Sequence, residues 1–326
     1  MKAFVTGGTG FIGSHLADAL IDHDEYKEVR CLVRNNEKWL NGKDYIKIKG
    51  DLDDLAVLKK GIEGIDVIFH LAGLVMAPTY QEFKRANVDA TENLIRVAKS
   101  QNIKKVIVLS SLAAVGPSQG KPVTEEDPMN PISMYGKSKK QMEEMIHHIA
   151  SDEDEMSVTI LRPPAVYGPR EDQIFSFFKA VSNRVCPIVG DGKRPKISLV
   201  YVSDVVEAIL KAAKQRDPGV HTYFITGKKV YTWNEIRGTT TKVLGKKAIP
   251  IYLKPKFVKK IAGLIEKTAS FFGTYPVINK EKANEMILEW TCSSEKAERE
   301  LGYEPKYSLA EGIARTIHWY QLHHWL

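Results

Sequence analysis

The chain has 326 residues, 43% hydrophobic and 27% charged, and its 47 basic and 40 acidic residues give a formal net charge of +7. These values exclude a disordered or fibrous chain and fit one large or two modest globular domains. The basic residues are dispersed, so no nucleic-acid partner is expected.

Three cysteines are present, Cys31, Cys186 and Cys292, and they lie far apart. Their spacing predicts a reducing, cytoplasmic compartment and argues against a disulfide framework or a metal site. We expect no signal peptide before the first strand, and no apolar run reaches the roughly 18 residues that a membrane span needs.

Strand and helix signals alternate through the first half of the chain. The predicted strands are 3–6, 29–33, 45–49, 67–71, 106–110 and 158–161, and the clearest helices between them are 91–100 and 134–149. Strands separated by helices of this length predict an α/β fold with a Rossmann-type, doubly wound parallel sheet.

The regular alternation weakens in the second half. A strand is expected at 198–202 and a helix at 204–214, and residues 233–326 are predicted to be mostly helical. We therefore predict a dinucleotide-binding domain over residues 1–165, to which residues 197–229 return. The predicted substrate domain is smaller, mostly helical, and made of residues 166–196 and 230–326.

Residues 3–13, AFVTGGTGFIG, join an apolar strand to an apolar helix through a glycine cluster. Gly8, Gly10 and Gly13 fit the pattern G-x-G-x-x-G, and Gly7, Gly10 and Gly13 fit the offset pattern G-x-x-G-x-x-G. Glycines let the backbone turn tightly and approach a pyrophosphate, which binds at a helix N-terminus. The segment therefore predicts a dinucleotide site.

A tyrosine and a lysine spaced i, i+4 share one helix face, and this sequence has four Y-x-x-x-K matches. Only Tyr135/Lys139 opens a long amphipathic helix, and it does so after a strand that ends in Ser110 and Ser111. A tyrosine can give a proton to a carbonyl oxygen that receives hydride, and a nearby ammonium can favour its phenolate. A serine hydroxyl can hold the same oxygen. These side chains predict an oxidoreductase site.

The motifs run in the order of the extended short-chain dehydrogenase/reductase family, which the chain resembles over about residues 1–230. The matching segments are TGGTGFIG at 6–13, GDLDD at 50–54, HLAG at 70–73, Asn87-Val88, LSS at 109–111, YGKSK at 135–139, RPPAVYGP at 162–169 and YVSD at 201–204. The resemblance implies that Tyr135 is the acid/base. Lys139 would lower its pKa and hold the nicotinamide ribose, and Ser111 would bind the substrate oxygen.

The resemblance also implies which residues contact the cofactor. Asp51 and Leu52 would line the adenine, and Ala72 and Gly73 would lie along the pyrophosphate side of the cofactor. The full set of expected contacts is Gly7, Gly10, Phe11, Ile12, Gly13, Arg34, Asp51, Leu52, Leu71, Ala72, Gly73, Tyr135, Lys139, Pro163 and Val166. The resemblance further implies a small-molecule substrate and a homodimer.

The end of the second strand bears on the choice of cofactor. An NAD site usually has an acidic residue there, about 20 residues after the glycines, to bind the ribose 2′-OH. This chain has Arg34 instead, and a guanidinium suits a 2′-phosphate. The sequence therefore favours NADP(H). NAD(H) is the alternative if Arg34 only stacks on adenine or faces solvent.

Two branches of the resembled family compete as models for the substrate. Nucleotide-sugar epimerases and dehydratases typically carry Asn in an N-V-Y-G segment and Arg-Asp before the late Y-V-x-D strand. This chain has Ala165 and Ile197-Ser198 at those places, and both differences remove polar groups that would meet a nucleotide diphosphate. The pattern is closer to the 3-beta-hydroxysteroid dehydrogenase and dihydroflavonol reductase branch.

That branch implies hydride transfer between a nicotinamide cofactor and a bulky apolar ketone or secondary alcohol. One alternative is a nucleotide-sugar epimerase or dehydratase. A second alternative is a non-catalytic dinucleotide-binding sensor or assembly factor, although a binding module has no need of the Ser111, Tyr135 and Lys139 set.

Residues 251–278 combine an apolar stripe with a cationic face. The apolar residues are Ile251, Leu253, Phe257, Val258, Ile261, Leu264, Ile265, Phe271 and Phe272, and the lysines are Lys254, Lys256, Lys259, Lys260 and Lys267. Such a segment predicts a lid over an apolar substrate, a helix in peripheral contact with a membrane, or a core-packing helix with a solvated face.

Overall fold

The computed structural model describes residues 1–150, 155–215, 217–271, 276 and 279–326, with side chains for all of these except 267–271. The strands are β1 Lys2–Thr6, β2 Glu28–Val33, β3 Ile46–Lys49, β4 Val67–His70, β5 Lys105–Leu109, β6 Ser157–Arg162, β7 Ala165–Tyr167, β8 Val185–Val189, β9 Lys196–Tyr201, β10 Gly219–Phe224, β11 Val230–Thr232 and β12 Ile249–Leu253.

The helices alternate with these strands in the first half and dominate the last third. The α-helices are α1 Phe11–Ile21, α2 Leu55–Ile62, α3 Tyr80–Phe83, α4 Ala90–Ser100, α5 Met134–Ile149, α6 Phe175–Ser182, α7 Val202–Lys214, α8 Trp233–Leu244, α9 Pro255–Phe271, α10 Lys280–Met286, α11 Glu295–Leu301 and α12 Leu309–Leu322. Among the described helices, none combines the length and the apolar character that crossing a bilayer requires.

The central sheet has seven strands in the spatial order β10-β6-β5-β4-β1-β2-β3. Neighbouring strands are parallel throughout, so their carboxyl ends meet at one edge. The strand order reverses between β1 and β4, and ligands of such sheets bind in the crevice at that point. The predicted Rossmann-type fold is confirmed, and each of the six strands predicted in the first half forms.

Helices cover both faces of the sheet, which explains why the inner strands β1, β4 and β5 read as nearly continuous apolar runs. On one face, Val5 and Phe69 of the strands pack with Leu16 of α1 and Ile209 of α7. On the other face, α2, α4 and α5 bury an apolar layer against the strands. α5 contributes the fully buried side chains of Met142 and Ile146 to that layer, so its opposite end can carry polar residues to the carboxyl edge.

The rest of the chain forms two smaller sheets and the remaining helices. β7 and β11 flank β9 in a three-stranded sheet, and β8 pairs with β12. Between β9 and β11 the chain returns to the central sheet and forms β10, which lies beside β6. The division into a dinucleotide-binding and a substrate domain stays a prediction.

Residues 249–253 form strand β12 and not helix, so the prediction of one continuous helical stripe is wrong at Ile251 and Leu253. Ile249, Ile251 and Tyr252 are β-branched or aromatic residues, which favour a strand, and β8 supplies the partner that a local pattern cannot show. The helix begins at residue 255, where a proline is tolerated in the first turn. Phe272 lies outside the described residues, as do the side chains of Phe271 and Lys267.

Candidate active site

The turn between β1 and α1 offers backbone N–H groups to an anion. Gly10 is the N-cap residue of α1, and no side chain caps the helix there. The first residues of the helix, Phe11 and Ile12, therefore lie at the uncapped positive end of its dipole. The turn is tight, because a Cβ on Gly13 would lie 2.1 Å from the Gly7 carbonyl oxygen. This glycine-lined cradle fits the pyrophosphate of a dinucleotide.

The loop after β4 closes the other side of this cradle. Backbone atoms of Leu71 and Ala72 lie against Gly7, where a Cβ would be 2.5 Å from the Ala72 nitrogen. Gly73 follows and is exposed, and a Cβ there would lie 3.5 Å from Lys139 Nζ. The structure therefore brings the predicted pyrophosphate contacts together with the predicted catalytic lysine.

A buried chain of hydrogen bonds, which the sequence does not reveal, runs beneath the cradle. Thr6 Oγ1 lies 2.7 Å from His70 Nδ1, and His70 Nε2 lies 2.8 Å from Thr91 Oγ1. Thr91 in turn donates to the Asn87 carbonyl oxygen at 2.7 Å. A hydroxyl has one proton, so Thr91 accepts from His70 Nε2–H and Thr6 donates to Nδ1.

His70 is neutral in this chain of hydrogen bonds. Burial lowers its pKa to about 3, and the Lys139 charge acts in the same direction. A neutral imidazole with one N–H is the form that donates to Thr91 and accepts from Thr6. The chain therefore connects the end of β1 to the segment before α4 without adding charge beside Lys139.

Asn87 joins this chain of hydrogen bonds to helix α5. Its amide nitrogen donates to the Leu74 carbonyl oxygen and to Ser138 Oγ, both at 2.9 Å, and its oxygen accepts from the Leu74 N–H at 2.7 Å. It is fully buried in a π-helical stretch, Lys84–Asp89, between α3 and α4. Asn87 therefore holds the loop after β4 against α5. The sequence motif marks this residue but gives it no role.

The start of α5 brings Tyr135 to Ser111. Ser133 is the N-cap residue and accepts from the Gly136 N–H at 3.2 Å. A Cβ on Gly136 would lie 2.3 Å from the Ala113 carbonyl oxygen, so glycine lets the helix approach the turn that follows β5. Ser111 lies close enough to Tyr135 to act on the pKa of its phenol, and both side chains remain partly exposed at the carboxyl edge of the sheet.

Burial is the main cause of the pKa shifts of Tyr135 and Lys139. It raises the pKa of Tyr135 to about 12, although the Ser111 hydrogen bond opposes the shift and the Glu285 carboxylate adds to it. It lowers the pKa of Lys139 to about 8, and the Glu143 carboxylate opposes this shift. At neutral pH Tyr135 therefore keeps its proton and Lys139 its charge, which is lost as the pH rises through about 8.

Two contacts hold the Lys139 ammonium in place. It donates to the Leu109 carbonyl oxygen at 2.8 Å and contacts the Met142 sulfur at 3.8 Å. Among the described residues these contacts occupy two of its three N–H donors. The contact of Lys139 with a nicotinamide ribose, and its effect on Tyr135 once a cofactor is bound, stay predictions.

A buried ion pair, which the sequence does not predict, supports α5. Arg162 Nε and Nη2 donate to the Glu143 carboxylate at 2.5–3.1 Å, and the two side chains are 6% and 0% exposed. Ser110 donates its hydroxyl proton to the same carboxylate. The pair ties α5 to β6 and to the end of β5. The position of Glu143 one turn after Lys139 is visible in the sequence, but its partner is not.

Arg34 pairs with a second predicted cofactor residue. Its Nη1 lies 3.6 Å from Asp51 Oδ2, and the side chains are 71% and 47% exposed. An ion pair this exposed contributes little to stability, so a ligand can replace it. Leu52, beside Asp51, is buried.

The predicted residues after β6 differ in what they offer to a ligand. Pro163 is buried and its carbonyl oxygen accepts from the Leu112 N–H at 2.9 Å. Val166 is partly buried, and Ala165 is exposed. Ser198, by contrast, is 1% exposed and accepts from the Cys292 N–H at 3.2 Å. Ala165 and Ser198 are two of the positions at which the reductase and the nucleotide-sugar branches differ. Ala165 is exposed to a ligand, and Ser198 is not.

Exposed apolar side chains belong to three segments that are linked to α5 or lead into it. They come from the loop after β4, from the residue before Ser133 and from the end of α10: Leu74, Val75, Met76, Ile132, Met286 and Leu288. The Asn87 side chain holds the first of these loops. Glu281 holds α10 in place by accepting from the Met134 N–H at 2.5 Å. Exposed apolar side chains and the carboxylates of Glu281 and Glu285 therefore both belong to the segments that border the start of α5.

The fold and this site define an NAD(P)-binding Rossmann protein with a serine, a tyrosine and a lysine at the carboxyl edge of its sheet. The chain matches the NAD dependent epimerase/dehydratase family over residues 3–226 and belongs to that family. This is an enzyme family, as the resemblance of the sequence motifs implies.

Three similar proteins cover nearly the whole chain. Ceramide reductase from Caulobacter vibrioides is 29% identical, over 99% of this chain and 95% of that protein. The 4-hydroxy-2-methyl-3-oxo-4-farnesyl-3,4-dihydroquinoline-1-oxide ketoreductase from Stigmatella aurantiaca is 30% identical, over 96% and 95%. The structure of MoeE5 in complex with UDP-glucuronic acid and NAD is 28% identical, with a TM-score of 0.79 over 99% of this chain and 100% of that one.

Proposed function

We propose that this chain transfers hydride between a nicotinamide cofactor and a bulky apolar ketone or secondary alcohol, with Ser111, Tyr135 and Lys139 as its catalytic residues. The observation that carries the proposal is the closeness of Tyr135 and Ser111, which are both partly exposed at the carboxyl edge of the sheet. In this proposal residues 1–165 and 197–229 bind the cofactor. Residues 166–196 and 230–326 bind the substrate.

The reduction requires one hydride and one proton. When bound, a reduced nicotinamide would supply the hydride to the carbonyl carbon. Tyr135, whose burial raises its pKa to about 12, keeps its proton at neutral pH and gives it to the carbonyl oxygen, so the C=O group becomes a CH–OH group. Ser111 donates a hydrogen bond to the same oxygen. Lys139 offers positive charge that stabilises the phenolate left on Tyr135.

The names of two relatives support an apolar substrate. One is a reductase of ceramide and the other a ketoreductase of a farnesylated quinoline oxide. The exposed Ala165 and the apolar side chains around α5 agree with such a substrate, because they offer no charge to a phosphate group.

The test is turnover with a panel of ketones and nucleotide sugars. We expect stoichiometric consumption of NADPH or NADH with one or more ring-borne or long-chain apolar ketones. UDP- and dTDP-sugars should give no product. Ala165→Asn is the matched variant, since a polar side chain at this exposed position should raise KM for the apolar ketone. Turnover of sugars alone would contradict the proposal.

The second candidate is a nucleotide-sugar epimerase or dehydratase. It is favoured by the similarity to MoeE5, whose structure holds UDP-glucuronic acid and NAD. Such a reaction regenerates its cofactor in every cycle. Epimerised or dehydrated sugar without net oxidation of the cofactor would therefore establish this candidate in place of the first.

We further propose that NADP(H) is preferred over NAD(H), because Arg34 can exchange its exposed contact with Asp51 for a 2′-phosphate. NADPH should bind at least about ten-fold more tightly than NADH, and Arg34→Ala should remove this difference by weakening NADPH alone. Fluorescence titration measures both dissociation constants. Equal affinities, or a preference for NADH that Arg34→Ala leaves unchanged, would contradict the proposal. MoeE5 holds NAD, so NAD(H) is the alternative.

A further inference from the structure

The two-stranded sheet leaves one face exposed and apolar. β12 pairs in parallel with β8, which puts Ile249 beside Val185 and Ile251 beside Pro187. Alternate residues of a strand lie on one face, and all four of these side chains are exposed, Ile249 at 72%. On the opposite face, Cys186 and Ile188 of β8 pack into the core. An exposed apolar face of this kind marks an interaction surface.

Helix α9 extends this surface. Leu253, the next residue on the same face of β12, packs against Val258 and Ala262 of α9. Phe257 and Ile261 lie one helical turn apart beside that buried strip, and they are 53% and 39% exposed. α9 therefore has two apolar strips. One is buried against the sheet, and the other continues the exposed surface.

Lysines frame the exposed apolar residues. Residues 245–265 contain no aspartate or glutamate, and all six of their lysines are exposed: Lys246, Lys247, Lys254, Lys256, Lys259 and Lys260. At about 100° per residue, Lys256 and Lys260 lie on the side of the Phe257–Ile261 strip that is away from the buried strip. The surface is therefore apolar with a cationic border.

We propose that this surface, the α9 face (Val185, Pro187, Ile249, Ile251, Phe257 and Ile261 with their bordering lysines), docks on a bilayer that contains anionic lipid. Apolar side chains that enter the interfacial region and lysines that meet anionic headgroups are the two terms of such binding. A second copy of this chain fits less well, because it would bring like charges together. The proposal does not depend on which substrate is reduced.

The test is flotation of the full chain with vesicles, without substrate. The protein should float with vesicles of phosphatidylcholine and phosphatidylglycerol, and should not float with phosphatidylcholine alone. Higher salt should release it, since screening weakens the lysine contribution. Absence from the anionic vesicles, or equal binding to both kinds, would overturn the proposal.

Two variants separate the contributions of charge and apolar contact. Lys256→Gln/Lys260→Gln should lower the vesicle partition coefficient at least about ten-fold. Phe257→Ser/Ile261→Ser should lower it by a similar factor, even at low salt. The matched control Lys59→Gln/Lys60→Gln removes the same charge from exposed positions on α2. Its partition coefficient should stay within about two-fold of the parent value, because salt screens charges that lie far from the membrane.

Cofactor affinity and thermal unfolding of each variant establish that it is folded. If both variants float like the parent chain, the α9 face is not the docking surface. If Phe257→Ser/Ile261→Ser instead lowers the mass of the particle in sedimentation and no vesicle binding occurs, the face is an interface between copies. Either result overturns the proposal.

Discussion

Replacing Tyr135 with Phe is expected to lower kcat at least about a thousand-fold and to leave the cofactor dissociation constants within about two-fold. The phenol lies beside Ser111, and burial raises its pKa to about 12. It is therefore protonated at neutral pH, and in the proposed function its hydroxyl acts in proton transfer, so its loss should leave cofactor binding nearly intact. Steady-state turnover and fluorescence titration measure the two quantities.

Two variants make the result specific to this hydroxyl. Tyr80→Phe removes the hydroxyl of a tyrosine that donates to Gln141 at 2.6 Å and that belongs to another Y-x-x-x-K match, so it should leave kcat unchanged. Lys139→Ala should damage both turnover and cofactor binding, because the proposed function gives its ammonium a part in both. A Tyr135→Phe enzyme that keeps more than a small fraction of kcat would contradict the assignment, and would favour a dinucleotide-binding sensor.

Replacing Arg162 with Met is expected to lower the free energy of unfolding by about 3–5 kcal/mol. Arg162 and Glu143 are almost fully buried, so the variant leaves an uncompensated carboxylate inside the protein. Urea unfolding at neutral pH measures the loss.

The double variant Glu143→Gln/Arg162→Met removes both charges and should recover much of the lost stability, because the cost comes from the unpaired charge. Arg85→Met is the matched control. It breaks an exposed ion pair in which Arg85 Nη2 lies 2.5 Å from Asp53 Oδ2, and it should cost less than about 1 kcal/mol. Equal losses in Arg85→Met and Arg162→Met would contradict the role given to burial.

Local features of the sequence determine the parallel sheet and the cofactor turn. Apolar strands with helical segments between them leave few other topologies, because crossovers between parallel strands are right-handed. The glycine cluster before α1 is predicted for the same reason, since the Gly13 approach to Gly7 is a contact between near neighbours in the chain. Tyr135 and Lys139 are predicted because i, i+4 positions share one helix face.

Tertiary structure decides which distant segments meet, and it sets the chemistry of the site. The partners of His70 and Glu143 come from other strands and helices, so no periodicity names them. β12 forms because β8 offers it an edge, although the sequence predicts helix there. The burial of Ser198 and the exposure of Ala165 also depend on packing. Burial of a charge or a hydroxyl changes its energy more than its place in the sequence does, so pKa values and ligand-facing surfaces follow from the folded chain alone.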